Sequence, residues 1–243
     1  MGGPLTRSAA TTLVVAGSAV AAASAAWIWL ADAPVAHPHG VPWSAATFLA
    51  AVVMWQAMMV AMMTPAVAPW VAAYARLADE QRGALAIGPS FSFAGGYFAI
   101  WLLYSMAAAF VQLALGVAGL LPPEGPSPAA AGAVLIAAGT FQFAPLRQAC
   151  LTHCRNPLSY LLARWHGGPP SAFRLGVKHG AYCVGCCWLL MLTGLAVGLM
   201  NLAWMAVVTA VVAIEQSAPG GAWVGRVFGA ALVVWGAALC RAA

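Results

Sequence analysis

The scarcity of charged side chains is the feature that most constrains this fold. Only 6% of the 243 residues are charged and 63% are hydrophobic, whereas about a quarter of the residues of a soluble domain are charged. We therefore expect lipid to surround much of the chain. In lipid the backbone polar groups must be satisfied internally, which leaves helices or a closed barrel. Barrel strands alternate apolar and polar residues, but the apolar residues here are consecutive. The sequence predicts an all-α transmembrane helical bundle.

Seven apolar segments approach or exceed the roughly 20 residues that a helix needs to cross a bilayer. The predicted spans are 10–31, 44–69, 91–120, 128–146, 174–199, 202–216 and 222–240. The first also resembles a secretory signal, but its apolar run is long enough to span, so we expect it to be retained. Pro65 and Pro69 should kink or end the second helix, because proline lacks the backbone donor. The more polar segment 147–173 is expected at the membrane interface, so that 1–243 form one integral membrane domain.

The basic residues predict the orientation of these spans. Lys and Arg are enriched in cytoplasmic loops. With a cytoplasmic N-terminus and seven spans, all basic residues except Arg241 lie in cytoplasmic segments, namely Arg7, Arg76, Arg82, Arg147, Arg155, Arg164, Arg174, Lys178 and Arg226. We therefore expect a multi-pass protein of a bacterial inner membrane, with the lipid bilayer as its surroundings. The net charge of +5 is explained by topology, and no nucleic-acid partner is expected.

The densest group of reactive side chains opens the fifth span. On a helix, residues four apart lie on one face, so His179, Cys183 and Cys187 share a stripe and Cys186 lies on its flank. Imidazole and thiolate ligands suit copper or zinc. Buried cysteines also act as small hydrophobic residues in tight helix packing. Metal ligation or thiol chemistry is the functional interpretation, and plain packing remains open.

A second group, Cys150 and Cys154, lies one helical turn apart just after the fourth span, with His153 close to the same face. Arg147 and Arg155 nearby would favour the thiolate forms. This group can complete one four-ligand site with the cysteines of the fifth span, or it can be a separate station that passes a metal on. A pair of reduced thiols without a ligand is the alternative.

Methionines concentrate in the second span. Half of the ten methionines of the chain fall within ten positions, at Met54, Met58, Met59, Met62 and Met63. Thioethers are soft ligands that suit Cu(I), and being neutral they avoid placing charge in hydrocarbon. Methionine is also a common packing residue. The stripe therefore predicts either a metal path or an ordinary core.

The chain lacks the motifs of several enzyme classes. It has no phosphate-binding Walker loop, no dinucleotide-binding glycine pattern and no nucleophile elbow. Its five acidic residues form no evident carboxylate pair, so no catalytic residue is predicted and an enzyme is not the favoured reading. Glu215 is expected to pair with Arg147 or Arg226, with proton coupling as the functional alternative.

At these motifs the chain resembles a bacterial family of predicted metal-binding integral membrane proteins whose function is unassigned. The resemblance covers about residues 45–235 and rests on Met54-Trp55…Met58…Ala61-Met62-Met63-x-Pro65, Pro145-Leu146-Arg147…Cys150-Leu151…Cys154-Arg155-x-Pro157 and His179-Gly180-x-Tyr182-Cys183-x-Gly185-Cys186-Cys187-Trp188. Arg147 and Gln216 stand where we expect lysine in that family. The resemblance implies a membrane protein that binds a metal.

The function these patterns favour is binding and trafficking of a soft metal ion, most plausibly copper, with zinc or another soft metal as the alternative. The expected ligands are the six Cys and His side chains together with the methionine stripe, namely His179, Cys183, Cys186, Cys187, Cys150, Cys154, Met54, Met58, Met59, Met62 and Met63. A metallochaperone or the subunits of a membrane complex are possible partners. Two other functions stay open: an accessory subunit of such a complex, and a membrane thiol or redox protein.

Overall fold

The structure is a computed structural model that describes residues 4–32, 43–82, 86–121, 125–163, 168–198 and 201–243. All regular secondary structure in these ranges is helical, which confirms the predicted all-α class. The helices are α1 (Pro4–Asp32), α2 (Ala45–Arg82), α3 (Ile87–Val117), α4 (Pro128–Phe141), α5 (Pro145–Cys154), α6 (Pro157–Ala163), α7 (Pro169–Val197), α8 (Leu202–Ser217) and α9 (Gly221–Ala242). Arg164, one of the predicted cytoplasmic basic residues, lies outside the described residues.

Several of these helices are long and apolar enough to cross a membrane. Five qualify on their own, and these are α1, α2, α3, α7 and α9. Helices α4 and α5 qualify together but meet at a bend of 64°, so they count as a sixth candidate only if the bent pair is one span. Helix α8 is apolar but only 16 residues long. The described helices therefore include five or six candidate spans.

Helix α2 does not end at its prolines. It continues through Pro65 and Pro69 to Arg82, over 38 residues, so the end expected near Pro69 does not occur. Both prolines lie on the exposed side of the helix. A missing N–H leaves one carbonyl without its helical donor. The helix continues despite the loss of one backbone hydrogen bond at each proline. Its buried face therefore extends as far as Trp70, which is 2% exposed.

The predicted continuous fourth span is instead interrupted after Phe141. Pro145 occupies the first turn of α5, where its missing N–H has no partner to lose. The residue before a proline is pushed out of the helical conformation, and Ala144 is extended, with ψ of 135°. The segment 147–173 begins in the core of the bundle, because Arg147 is fully buried on α5, and its position at the membrane interface stays a prediction.

Glycines allow α3 and α7 to pack along each other in parallel. Gly176 faces the backbone of Phe93, and a Cβ at Gly180 would lie 2.9 Å from the carbonyl oxygen of Tyr97. Since the residue numbers of the facing positions rise together, the two helices run in the same direction. This close approach brings the face of α7 that carries Cys183 against α3.

Two further helix pairs, α2 with α3 and α4 with α9, are antiparallel. On α2, Tyr74 stacks on Phe93 at 5.3 Å and Gln56 accepts a hydrogen bond from Ser105 at 3.1 Å. Helices α4 and α9 pack antiparallel through two glycine pairs, Gly132 with Gly236 and Gly139 with Gly229. The core of the bundle therefore lies between α2, α3, α7 and α8, with α5 closing one end.

A Cβ at Gly176 would overlap the backbone of Phe93, whereas Gly95 has nothing within 4 Å of its Cβ position. We expect Gly176→Ala to lower the free energy of unfolding by roughly 1–3 kcal/mol, the usual cost of overpacking. Gly95→Ala should be neutral or stabilising by up to about 1 kcal/mol, because alanine favours helix. Thermal unfolding in detergent, followed by circular dichroism, measures both. Equal effects of the two variants would contradict the α3–α7 contact.

Candidate metal centre

Three cysteines from two helices converge in the core. Cys154 at the end of α5 meets Cys183 and Cys186 of α7, and their sulfur atoms all lie within 4.8 Å of one another. None of the three is more than 2% exposed. Three thiolates bound to one ion at about 2.3 Å would have their sulfurs about 4 Å apart. The observed spacing therefore fits a three-sulfur metal site with small adjustments.

Arg147 holds α5 in the position that brings Cys154 to α7. Its guanidinium donates to the carbonyl of Gln142 at 3.4 Å, to the carbonyl of Cys186 at 3.2 Å, and to the carboxylate of Glu215. Gln142 lies at the break between α4 and α5, where the carbonyl has lost its helical donor. One buried side chain thus connects the break, α7 and α8, and Cys154 follows two turns further along α5.

Glu215 is buried with Arg147 as an ion pair, so the expected pairing with Arg147 is the one observed. Gly225 of α9 leaves room for this carboxylate, since any Cβ there would overlap it. Arg155 donates to the carbonyls of Glu215 at 3.0 Å and Ala218 at 2.8 Å. These bonds satisfy the end of α8 and fix it beside α5.

Cys183 has polar neighbours at both its sulfur and its backbone carbonyl. The hydroxyl of Tyr97 lies 3.2 Å from it, and the amide of Gln216 donates to it at 3.4 Å. The thiols of Cys186 and Cys187 both donate to the backbone carbonyl of Cys183, at 3.1 and 3.0 Å. Donors aimed at a sulfur favour its charged form, so the surroundings of Cys183 suit a thiolate ligand.

His179 lies one helical turn before Cys183 and is 1% exposed. Its ring stacks on Trp70 at 3.8 Å and lies 5.3 Å from the ring of Tyr97. Neither ring nitrogen has a hydrogen-bond partner within the described part of the chain. A buried polar group without a partner is destabilising, which marks this imidazole as an available ligand beside the thiols. It does not belong to the group of atoms that converge within 4.8 Å.

The remaining predicted thiol and imidazole ligands lie around this centre rather than in it. Cys150 is half-buried, and its sulfur occupies the space left by Gly185, whose Cβ would be 2.9 Å away. His153 is exposed and stacks on Tyr182 at 4.1 Å. Of the two cysteines predicted to chelate from α5, the structure therefore brings only Cys154 to the cysteines of α7.

The predicted methionine ligands lie deeper in the same core. Met54 is half-buried, and the other four are buried, namely Met58, Met59, Met62 and Met63. The methyl carbon of Met58 reaches within 4.0 Å of the Cβ position of Gly194 on α7. Thioethers thus line the core between α2 and α7, further along α7 than the three-cysteine centre.

Three neighbours of the centre carry no local sequence signal. Trp70, Tyr97 and Gln216 come from α2, α3 and α8, far apart in the chain. Trp70 also donates from its indole to the carbonyl of Cys154 at 2.8 Å. Only the packing of the helices shows that these side chains surround the thiols.

A family model described as a copper chaperone, PpoB2, matches residues 52–239. The chain belongs to this copper chaperone family. The matched region contains all three converging cysteines, the buried histidine and the buried methionines, so the family finding and the geometry concern the same part of the chain. No curated protein and no solved structure matches the chain.

Removal of Arg147 tests the connection that positions Cys154. Arg147→Met leaves the carboxylate of Glu215 buried and unpaired, and we expect it to cost about 3–5 kcal/mol of stability. The double variant Arg147→Met with Glu215→Met should recover much of that loss, because no charge is then left unpaired. Arg226→Met, at an exposed residue of α9, is the control. Thermal unfolding in detergent measures the stability of all three variants. If the single and double variants were equally destabilised, the unpaired charge of Glu215 would not be the main cause of the loss.

Proposed function

We propose that this copper chaperone family member binds Cu(I) at Cys154, Cys183 and Cys186 and passes it on within a membrane. The observation that supports this most is the convergence of three buried sulfurs within 4.8 Å. Soft sulfur ligands select Cu(I), and buried thiols in apolar surroundings hold it away from water. Copper is the cargo in this proposal and not a permanent cofactor.

His179 distinguishes copper from zinc at this site. A structural zinc ion takes four ligands in a tetrahedron, which here would require the imidazole to move into the three-sulfur group. The ring instead stacks on Trp70, outside the converging atoms. A three-sulfur shell therefore fits Cu(I) better, with His179 as an additional ligand during capture or release, while zinc remains the alternative ion.

The helix directions support a seven-crossing topology. Helices α2 and α3 are antiparallel, as are α7 and α8, as consecutive crossings require. Helices α4 and α9 are also antiparallel, as the fourth and seventh crossings must be. In this proposal the bent pair α4–α5 is one crossing and α8 is another. A helix of 16 residues is about 24 Å long, somewhat short of a typical hydrocarbon core, and local thinning of the bilayer accommodates such a mismatch.

The same topology places the thiol centre near the cytoplasmic side of a bacterial inner membrane. Arg155, Arg174 and Lys178 lie at the end of the bundle nearest the centre, and basic residues favour the cytoplasmic side. Copper would then arrive from a cytoplasmic metallochaperone or a partner subunit and leave along the methionine-lined core. Neutral thioethers suit that path, because a fixed charge in the bilayer is costly.

Metal analysis of purified protein tests the proposed ligands. We expect the wild type to retain about one equivalent of Cu(I) at the centre after dialysis against a weak chelator, and the triple variant Cys154→Ser, Cys183→Ser and Cys186→Ser to lose it. Cys240→Ser removes an exposed thiol on α9 and serves as the control. Equal copper in all three proteins would contradict the proposal, as would a centre found oxidised to a disulfide and free of metal.

A reporter fused to the C-terminus tests the orientation. With a cytoplasmic N-terminus and seven crossings, the C-terminus after α9 lies on the periplasmic side. Alkaline phosphatase fused there should therefore be active, and the same enzyme fused after α2 should be inactive. The opposite pattern would reverse the orientation, and activity at both positions would change the number of crossings.

A further inference from the structure

Buried methionines from three helices occupy one part of the core. Four belong to the predicted stripe on α2, and two more come from α7 and α8. We call the six the methionine group: Met58, Met59, Met62, Met63, Met191 and Met205, each at most 3% exposed. A methionine stripe on one helix usually reflects packing, whereas buried thioethers on three helices that pack on one another can supply a ligand set.

Two contacts fix the depth of α2 beside α7. At one end Trp70 stacks on His179, and at the other the methyl carbon of Met58 approaches Gly194. Between these two contacts α2 carries Met59, Met62 and Met63. Over the same stretch α7 carries Cys183, Cys187 and Met191. Met191 lies one turn before Gly194, so it is within roughly 5 Å along the helix axis of the level that the Met58 side chain reaches.

Helix α8 reaches the same depth from the other side. Its end contacts the thiol centre, where Gln216 donates to Cys183. Its beginning contacts α7 further along, where the indole of Trp204 donates to Thr193 at 2.8 Å. Met205 follows Trp204 and is 2% exposed. Met58, Met191 and Met205 therefore lie on the parts of α2, α7 and α8 that meet near Gly194.

Little net charge lies near this group among the described residues. The buried side chains of Arg147 and Glu215 neutralise each other in an ion pair beside Cys186, and the buried Asp79 lies at the far end of α2 from Met58. Thioether ligands are soft and neutral. Neutral ligands do not offset the charge of a bound ion, and a charge inside an apolar core is costly. We therefore expect such a site to bind a monovalent cation, and to bind it weakly.

We propose that Met58, Met191 and Met205, supported by the other members of the methionine group, form a second Cu(I) site deeper in the core than the thiol centre. This inference rests on the proposed function, since the ion arrives from that centre. Cys187 lies between the two sites on α7 and is 1% exposed. The second site binds more weakly because it offers no thiolate, and weak binding allows release.

Titration with Ag(I), a redox-stable ion of the same charge and ligand preference, tests the second site. We expect the wild type to bind two ions, the second at least about tenfold more weakly than the first. The triple variant Met58→Leu, Met191→Leu and Met205→Leu conserves side-chain volume and should keep only the tight site. Met106→Leu, at a residue 42% exposed on α3, should behave as the wild type. Two ions in the triple methionine variant would overturn the inference.

Methyl NMR gives a readout that does not depend on the variants folding well. In wild-type protein labelled at the methionine methyl groups, the second equivalent of Ag(I) should shift the signals of Met58, Met191 and Met205 and leave Met106 unchanged. Unshifted signals from these three residues would overturn the inference. The triple cysteine variant separates the two proposals. If this variant loses tight Ag(I) binding but keeps the methionine shifts, both sites are supported. If its tight Ag(I) binding is unchanged, the thiol centre is overturned, and the methionine shifts alone then decide the second site.

Discussion

The contacts of one buried guanidinium determine whether the three thiols can meet. Arg147 fills the gap opened by the break before Pro145, and it reaches α7 and α8 from there. A lysine has one point charge with rotating donors, whereas arginine offers a planar fork, which suits contacts with three separate acceptors. Buried ion pairs contribute little net stability. The value of this pair with Glu215 lies in fixing the position of α5, and hence of Cys154.

Around that fixed frame the thiol centre is followed, deeper in the core, by the neutral, polarizable sulfur atoms of methionines. The hydrogen bonds to Cys183 come from Tyr97 and Gln216, both of which are neutral. The thioethers beyond the thiols are neutral as well. Because thioethers carry no charge, the methionine-lined part of the core costs little to bury, and under the proposed function it can hold Cu(I) inside an apolar helical bundle.

The sequence predicts the all-α fold class because so few of its residues are charged, and helical periodicity predicts that His179 and Cys183 lie on adjoining turns of one helix. Of the α7 side chains predicted as ligands, the structure brings Cys183 and Cys186 together with Cys154 and leaves His179 beside them. It cannot resolve how segments distant in the chain pack. The apolar pattern predicts continuous helix from 128 to 146, whereas the structure breaks it before Pro145. The restriction that proline places on its preceding residue is the local signal for this break. The selection of Cys154 over Cys150 depends on the bend and on the contacts of Arg147, which no local pattern encodes.

The central claim is that sulfur atoms of this chain hold a copper ion. X-ray absorption at the copper edge on wild-type protein loaded with one equivalent of Cu(I) measures the coordination shell directly. The account predicts monovalent copper in a shell dominated by three sulfur ligands, whose signal disappears when Cys183 is replaced by serine. A shell of nitrogen and oxygen ligands, or a sulfur shell that persists in that variant, would contradict it.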